Sequence, residues 1–153
     1  MHVNLVNPFI DAALNVLSTM ASTKANAGKP FLKEKDAARG DVTGIVGLTG
    51  ETEGTISISF TEKCILSIVS NMFGEEMKEM NDEIKDAVGE IANMVSGQAR
   101  KQLSLSEHGR SLKAAIPTVI MGKNHSVTHI TNKPIIAIPF TSDNGNFTIE
   151  VCM

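Results

Sequence analysis

Residues 86–100 read DAVGEIANMVSGQAR, from Asp86 to Arg100. An α-helix turns by about 100° per residue, so Asp86, Glu90 and Asn93 fall within an arc of about 60°. Ile84, Ala87, Val88, Ile91, Val95 and Ala99 fall on the opposite side. The pattern predicts a helix with one buried stripe and, facing away from it, an acid and an amide that point outward together. A helix that need only be soluble carries Lys–Glu pairs on that face. This one carries Asp, Glu and Asn, then Gly97 about one turn further on. A glycine there costs about 1 kcal/mol relative to alanine. It also leaves bare backbone that a second molecule can approach closely.

Outward from this segment, the long helix is expected from about Asn81 to Leu105. Before it, Thr61 caps a short helix from Glu62 to about Phe73, with Gly74 as its stop. Val42 to Leu48 and Thr55 to Phe60 read as strands, the second alternating through Ile56, Ile58 and Phe60, with the hairpin loop Gly50 to Gly54 between them. Asn7-Pro8 reads as the start of a first helix carrying Ile10, Ala13, Leu14, Leu17 and Met20 at helical spacing. Ala25 to Gly28 reads as a loop. Beyond the long helix, strands are expected at Leu112 to Met121, Ser126 to Thr131, Ile135 to Phe140 and Phe147 to Val151. Asp143-Asn144-Gly145 forms the tight turn before the last of them. The chain therefore reads as a single domain, 1–153, of the α/β (α+β) class, with a mixed or antiparallel sheet packed against helices. Its two halves have similar order, as a degenerate duplication would give. Two amphipathic helices also match by chance; if the repeat is real, matching Asn15 to Asn93 puts Ala12 where Glu90 stands, so the first copy keeps the amide and has lost the acid.

Composition narrows the functions open to the chain. It has 153 residues, enough for one domain with a real core, and a formal net charge of -3. Nucleic-acid binding needs a basic face to displace counterions, which the charge balance argues against, and single strands need a stacking platform, which a chain with no Trp, no Tyr and few aromatics lacks. Cys64 and Cys152 make neither a disulfide scaffold nor a zinc site and read as inert thiols in a reducing compartment. No apolar run approaches the roughly 20 residues of a membrane span, and Asn4, Asn7 and Asp11 interrupt the N-terminal run where a signal peptide would need continuity. A cytoplasmic location is expected.

Other motifs carry less. His125 and His129 would share a metal on a helix, but their neighbours favour a strand, where four residues span about 13 Å. They read as strand or surface histidines, and no metal site is expected. Glycines 40, 44, 47 and 50 lack the Gly-Lys-Ser/Thr of a phosphate loop and read as strand and turn glycines. Met72, Met77, Met80 and Met94 read as core filler. Arg100 and Lys101 read in two ways: as solvated cations complementing the helix C-terminal dipole, or as a docking patch for an acidic protein.

The series Asp86, Glu90, Asn93 and, two dozen residues later, Pro117 resembles the motif of the CheC, CheX and FliY family of bacterial chemotaxis phosphatases: Asp or Ser, three residues, Glu, two residues, Asn, then Pro. The opening VNPFIDAALNVL is similar to the start of CheX proteins, and the single motif copy, with Ala12 in the first helix, fits the CheX type. The resemblance implies a CheC-like fold with one long motif helix. It implies hydrolysis of the aspartyl phosphate of a CheY-like response regulator, with Glu90 and Asn93 as catalytic pair. Asn93 would position water, which an amide can do by donating and accepting without titrating, and Glu90 would pair with a lysine of the regulator. From their places on the helix, Gly97, Arg100 and Lys101 are candidates for the docking surface, and Asp86 either supports Glu90's end of that contact or favours the N-terminal half of the helix. Mg²⁺ would come from the regulator, with no cofactor of the chain's own. A homodimer joined through β-structure is also implied, and the alternating Phe147, Ile149 and Val151 at the end of the chain suggest an edge strand able to pair. The alternative is a non-catalytic module that uses the same face to hold a signalling or flagellar-switch protein.

Overall fold

The long helix forms because its apolar stripe is continuous and both ends are prepared. In the computed structural model, which describes residues 3–33, 39–51, 53–105, 111–129 and 133–153, this helix, α3, spans Asp82–Ser104. The Asn81 side chain accepts from the Ile84 backbone N–H at 3.2 Å, and Asp82 and Glu83 in the first turn suit the positive end of the dipole. Ile84, Ala87, Val88, Ile91, Val95 and Ala99 are buried, as their spacing predicts.

The full order is α1 (Val3–Ala21), β1 (Ala25–Ala27), β2 (Phe31–Leu32), β3 (Arg39–Gly50), β4 (Gly54–Phe60), α2 (Glu62–Phe73), α3, β5 (Leu112–Ala114), β6 (Thr118–Ser126), β7 (Ile135–Ser142) and β8 (Gly145–Cys152). The described strands form one antiparallel sheet in the order β1-β7-β8-β4-β3-β5, with β2 also on β7 and β6 also on β3. This is the α+β arrangement that the sequence predicts. Each half of the chain lends its outer strands to the other half's hairpin, a reciprocity that a duplicated unit would produce. α1 and α3 run antiparallel against each other, joined by Asn15 Nδ2 donating to Gln98 Oε1 at 2.8 Å and Gln102 Nε2 to Asp11 Oδ2 at 3.4 Å. Alternation sends Ile56, Ile58, Phe147, Ile149 and Val151 into the core shared with the helices, where Phe147 stacks on Phe140 at 4.6 Å. α3 lies close on β3 at Gly44, where an added Cβ would sit 3.0 Å from the Ala92 Cβ. No described helix is long and apolar enough to cross a membrane.

Several boundaries differ from the sequence reading. α1 begins at Val3 and carries Pro8 inside it, because buried Val6 and partly buried Leu5 hold the turn before the proline against the core. Ala25–Ala27 is a strand rather than a loop, pairing with Phe140 to Ser142. The expected strand from Leu112 to Met121 is two strands, because Pro117 has no N–H for the ladder and biases Ile116 toward extended backbone. The second expected strand fails: β6 ends at Ser126, 127–129 is irregular, and Ile130 and Thr131 lie outside the described residues, as does Thr52 of the Gly50–Gly54 loop. The four methionines do pack against the core.

The largest correction concerns β8. It is an inner strand, flanked by β7 and β4, so Phe147, Ile149 and Val151 face the core and leave no edge to pair. Glu150, on the opposite face, is itself buried. Its Oε1 accepts from Lys33 Nζ at 3.0 Å and His129 Nε2 at 3.1 Å, and all three side chains are under one-tenth exposed. Burial raises the Glu150 carboxyl, but the hydrogen bonds and charges of His129 and Lys33 outweigh it and hold it below its ordinary value. His129 Nδ1 meets Thr55 Oγ1 at 2.6 Å, and His125 Nε2 meets Thr43 Oγ1 at 2.6 Å. His129 is therefore neither in a strand nor at the surface.

Candidate active site

Seven residues line an open groove of about 520 Å³: Lys85, Asp86, Gly89, Glu90 and Asn93 from α3, with Pro117 just before β6 and Val119 near its start. The helix supplies one wall because its outward arc carries the polar residues. The other wall arises because β6 is laid on β3 with Val119 opposite Gly44 and Thr118 opposite Ile45. Paired residues share a face, so Val119 is turned toward α3, as Gly44 is. The strand thereby brings Pro117 to Glu90 and Asn93 from two dozen residues away.

Asp86, Glu90 and Asn93 are all exposed. Among the described residues, neither the Asn93 amide nor the Glu90 carboxylate has an internal hydrogen-bond partner. The Asn93 main chain, in contrast, is held: buried Ser96 donates its hydroxyl to the Asn93 carbonyl at 3.0 Å. The site thus presents a fixed backbone and uncommitted side chains, as a surface built to act on a second molecule requires. The amide can orient water, and the carboxylate can pair with a cation.

The remaining candidates separate. Asp86 belongs to the groove. Gly97 does not; the glycine that bares backbone there is Gly89, missed in the sequence reading although it sits next to Glu90. A Cβ at Gly89 would meet the Val119 Cγ2 at 3.4 Å. Arg100 is turned to β5, its Nη1 donating to the Leu112 carbonyl at 3.3 Å. Lys101 lines a different hollow with Asp11, Ala12, Asn15, Gln98, Gln102 and Leu105. Neither cation lies with Glu90 and Asn93. Asn15 is bonded to Gln98, and Ala12 is buried, so the first helix shows no free acid–amide pair. Lys85, Gly89 and Val119 complete the groove; Lys85 carried a signal, adjoining Asp86, whereas Val119 carried none, because its place depends on strand register. Both cysteines are buried, and burial pushes the Cys64 thiol up to about 11, which keeps it protonated and unreactive.

The family model of the chemotaxis phosphatase CheX matches residues 42–141. The chain belongs to the CheX family. A chemotaxis protein CheX from Desulfovibrio desulfuricans has a crystal structure that superposes with a TM-score of 0.92 at 45% identity, covering 98% of this chain and 99% of that one. The CheY-P phosphatase CheX of Thermotoga maritima is 27% identical over 126 residues, which are 81% of this chain and 79% of that protein. The CheX of Borrelia burgdorferi, solved as a CheX–CheY–BeF₃–Mg²⁺ complex, superposes with a TM-score of 0.81 at 25% identity, over 99% of this chain and 98% of that one. The α+β fold agrees with these CheX structures across nearly the whole chain.

Proposed function

We propose that this CheX-family phosphatase hydrolyses the aspartyl phosphate of a CheY-like response regulator through the groove between α3 and β6. The observation that carries the assignment of residues is that Glu90 and Asn93, both uncommitted, share an open groove with Pro117. In the reaction a water oxygen attacks phosphorus in line, the bond to the aspartyl oxygen breaks with its electron pair leaving on the carboxylate, and inorganic phosphate departs. Such a transition state is loose, so placing the water supplies much of the acceleration. The Asn93 carbonyl oxygen accepts from the water and aims its lone pair. Glu90 is a poor neighbour for phosphate but a good partner for a cation of the regulator, and it sets the register of docking. The Mg²⁺ that offsets the phosphoryl charge belongs to the regulator in this account; the Borrelia complex, which holds CheY, BeF₃ and Mg²⁺ together, supports that assignment.

Glu90→Lys is expected to weaken binding of the phosphorylated regulator by about tenfold, roughly 1.4 kcal/mol, in line with placing like charges at a contact. Titration calorimetry checks this, and unchanged affinity overturns the pairing role. Asn15→Ala is expected to leave hydrolysis within twofold of wild type, because Asn15 is committed to Gln98, its neighbour Asp11 is committed to Gln102, and buried Ala12 stands where Glu90 would; a large loss of turnover in a folded variant would mean that α1 also works. The chain is further proposed to dimerise through a sheet edge; β6, which pairs only with β3 among the described strands, offers one such edge. Light scattering at micromolar concentration should return twice the chain mass.

A further inference from the structure

We infer that Ile116 is an apolar anchor that seats against the regulator beside the catalytic groove. This rests on the function proposed above and adds a contact outside the acid, amide and proline of the motif. Ile116 lies in the turn from β5 to β6 and is 90% exposed. Single exposed apolar residues are ordinary on a protein surface; three features set this one apart.

The first is its position. The next residue, Pro117, and then Val119 line the groove, so Ile116 stands one residue outside that lining. The second is rigidity. The preceding Ala115 is tied to the sheet by its N–H donating to the Gly47 carbonyl at 2.9 Å. The following proline confines the backbone of Ile116, and branching at Cβ confines its χ1. A residue whose backbone is restrained on both sides and whose χ1 is restricted by branching loses less freedom on being buried, so more of the apolar contact is retained as affinity. The third is chemical complementarity within the groove. The α3 wall offers Lys85, Asp86, Glu90 and Asn93, which orient a partner but yield little from desolvation. Interfaces commonly set such polar groups around an apolar centre. The occupant is therefore the regulator that presents its acyl phosphate to Asn93, and it is inferred to carry an apolar patch next to its phosphorylation site.

The test uses the full chain and a CheY-type receiver activated with beryllofluoride and Mg²⁺, with affinity read by calorimetry and hydrolysis of the phosphorylated receiver read separately. Ile116→Ser is expected to raise Kd and KM about tenfold while kcat at saturation stays within twofold and thermal unfolding is unchanged. Ile116→Val is expected to restore most of the affinity. Leu105→Ser is the control: Leu105 is 77% exposed but caps the far end of α3, about 20 Å along the helix from Glu90, and its loss should change neither constant. Wild-type affinity in Ile116→Ser, with hydrolysis intact, overturns the anchor alone. Affinity lost in Ile116→Ser when no variant hydrolyses the phosphoreceiver upholds the anchor and overturns the phosphatase reading. A wild-type chain that binds no activated receiver overturns both.

Discussion

Asn93→Ala is expected to lower the turnover of aspartyl-phosphate hydrolysis about 100-fold or more, while the complex with the regulator still forms. A group that only positions water in the transition state contributes to kcat and little to ground-state affinity. About 100-fold corresponds to roughly 2.7 kcal/mol, within the range of a lost preorganised hydrogen-bonding group. The structure argues that the variant will fold: Asn93 is exposed, its side chain holds nothing, and the Ser96 hydroxyl bonds to its main-chain carbonyl, which alanine keeps. Single-turnover kinetics at saturating protein check the value. Turnover near wild type would remove Asn93 from the chemistry.

Glu150→Ala is expected to destabilise the fold by about 3–5 kcal/mol, the range for removing one partner of a buried ion pair. Lys33 Nζ would keep the Val127 carbonyl at 3.0 Å but lose its counter-charge, and His129 Nε2 would lose its acceptor. The loss should appear in urea unfolding as a lower midpoint with little change in slope. The carboxyl is held below its ordinary 4.5 in the folded chain by His129 and Lys33, against the upward push of burial. Its contribution is therefore fully present above the unfolded value and is lost as pH falls through the folded one. Wild type should lose stability on acidification below about pH 4.5 more steeply than Glu150→Gln does. Equal stability of wild type and Glu150→Ala at pH 7 would contradict the network.

The contrast between Glu90 and Glu150 shows where sequence reading succeeds. Glu90, Asn93 and the buried stripe of α3 belong to one helix, and a helix converts spacing into direction with no outside information. The same holds for the Thr61 and Gly74 caps of α2, which the structure reproduces: Thr61 accepts from the Cys64 N–H at 3.3 Å, and Gly74 takes φ of 69°. Glu150 meets Lys33 and His129 from segments 117 and 21 residues away. Nothing in a period-2 pattern shows whether a strand is at the edge or the centre of a sheet, so an alternating terminal segment looked like an edge. The outer wall of the groove was hidden for the same reason. Pro117 was legible through the family motif, whereas Val119 and Ile116 took their places only when β6 was registered on β3. Gly97 and Gly89 both precede a polar side chain on the same helix, and only the approach of β6 distinguishes the one that lies bare in a groove.

The central claim is that this chain removes the phosphoryl group from a receiver aspartate. Its most direct test mixes a catalytic amount of the wild-type protein with an excess of acyl-phosphorylated CheY-type receiver and follows the release of inorganic phosphate. Many turnovers per chain are expected, with a decay far faster than the receiver's own that is abolished in an Asn93→Ala, Glu90→Lys double variant. Decay at the receiver's own rate, under conditions where calorimetry shows the complex to be formed, would contradict that claim.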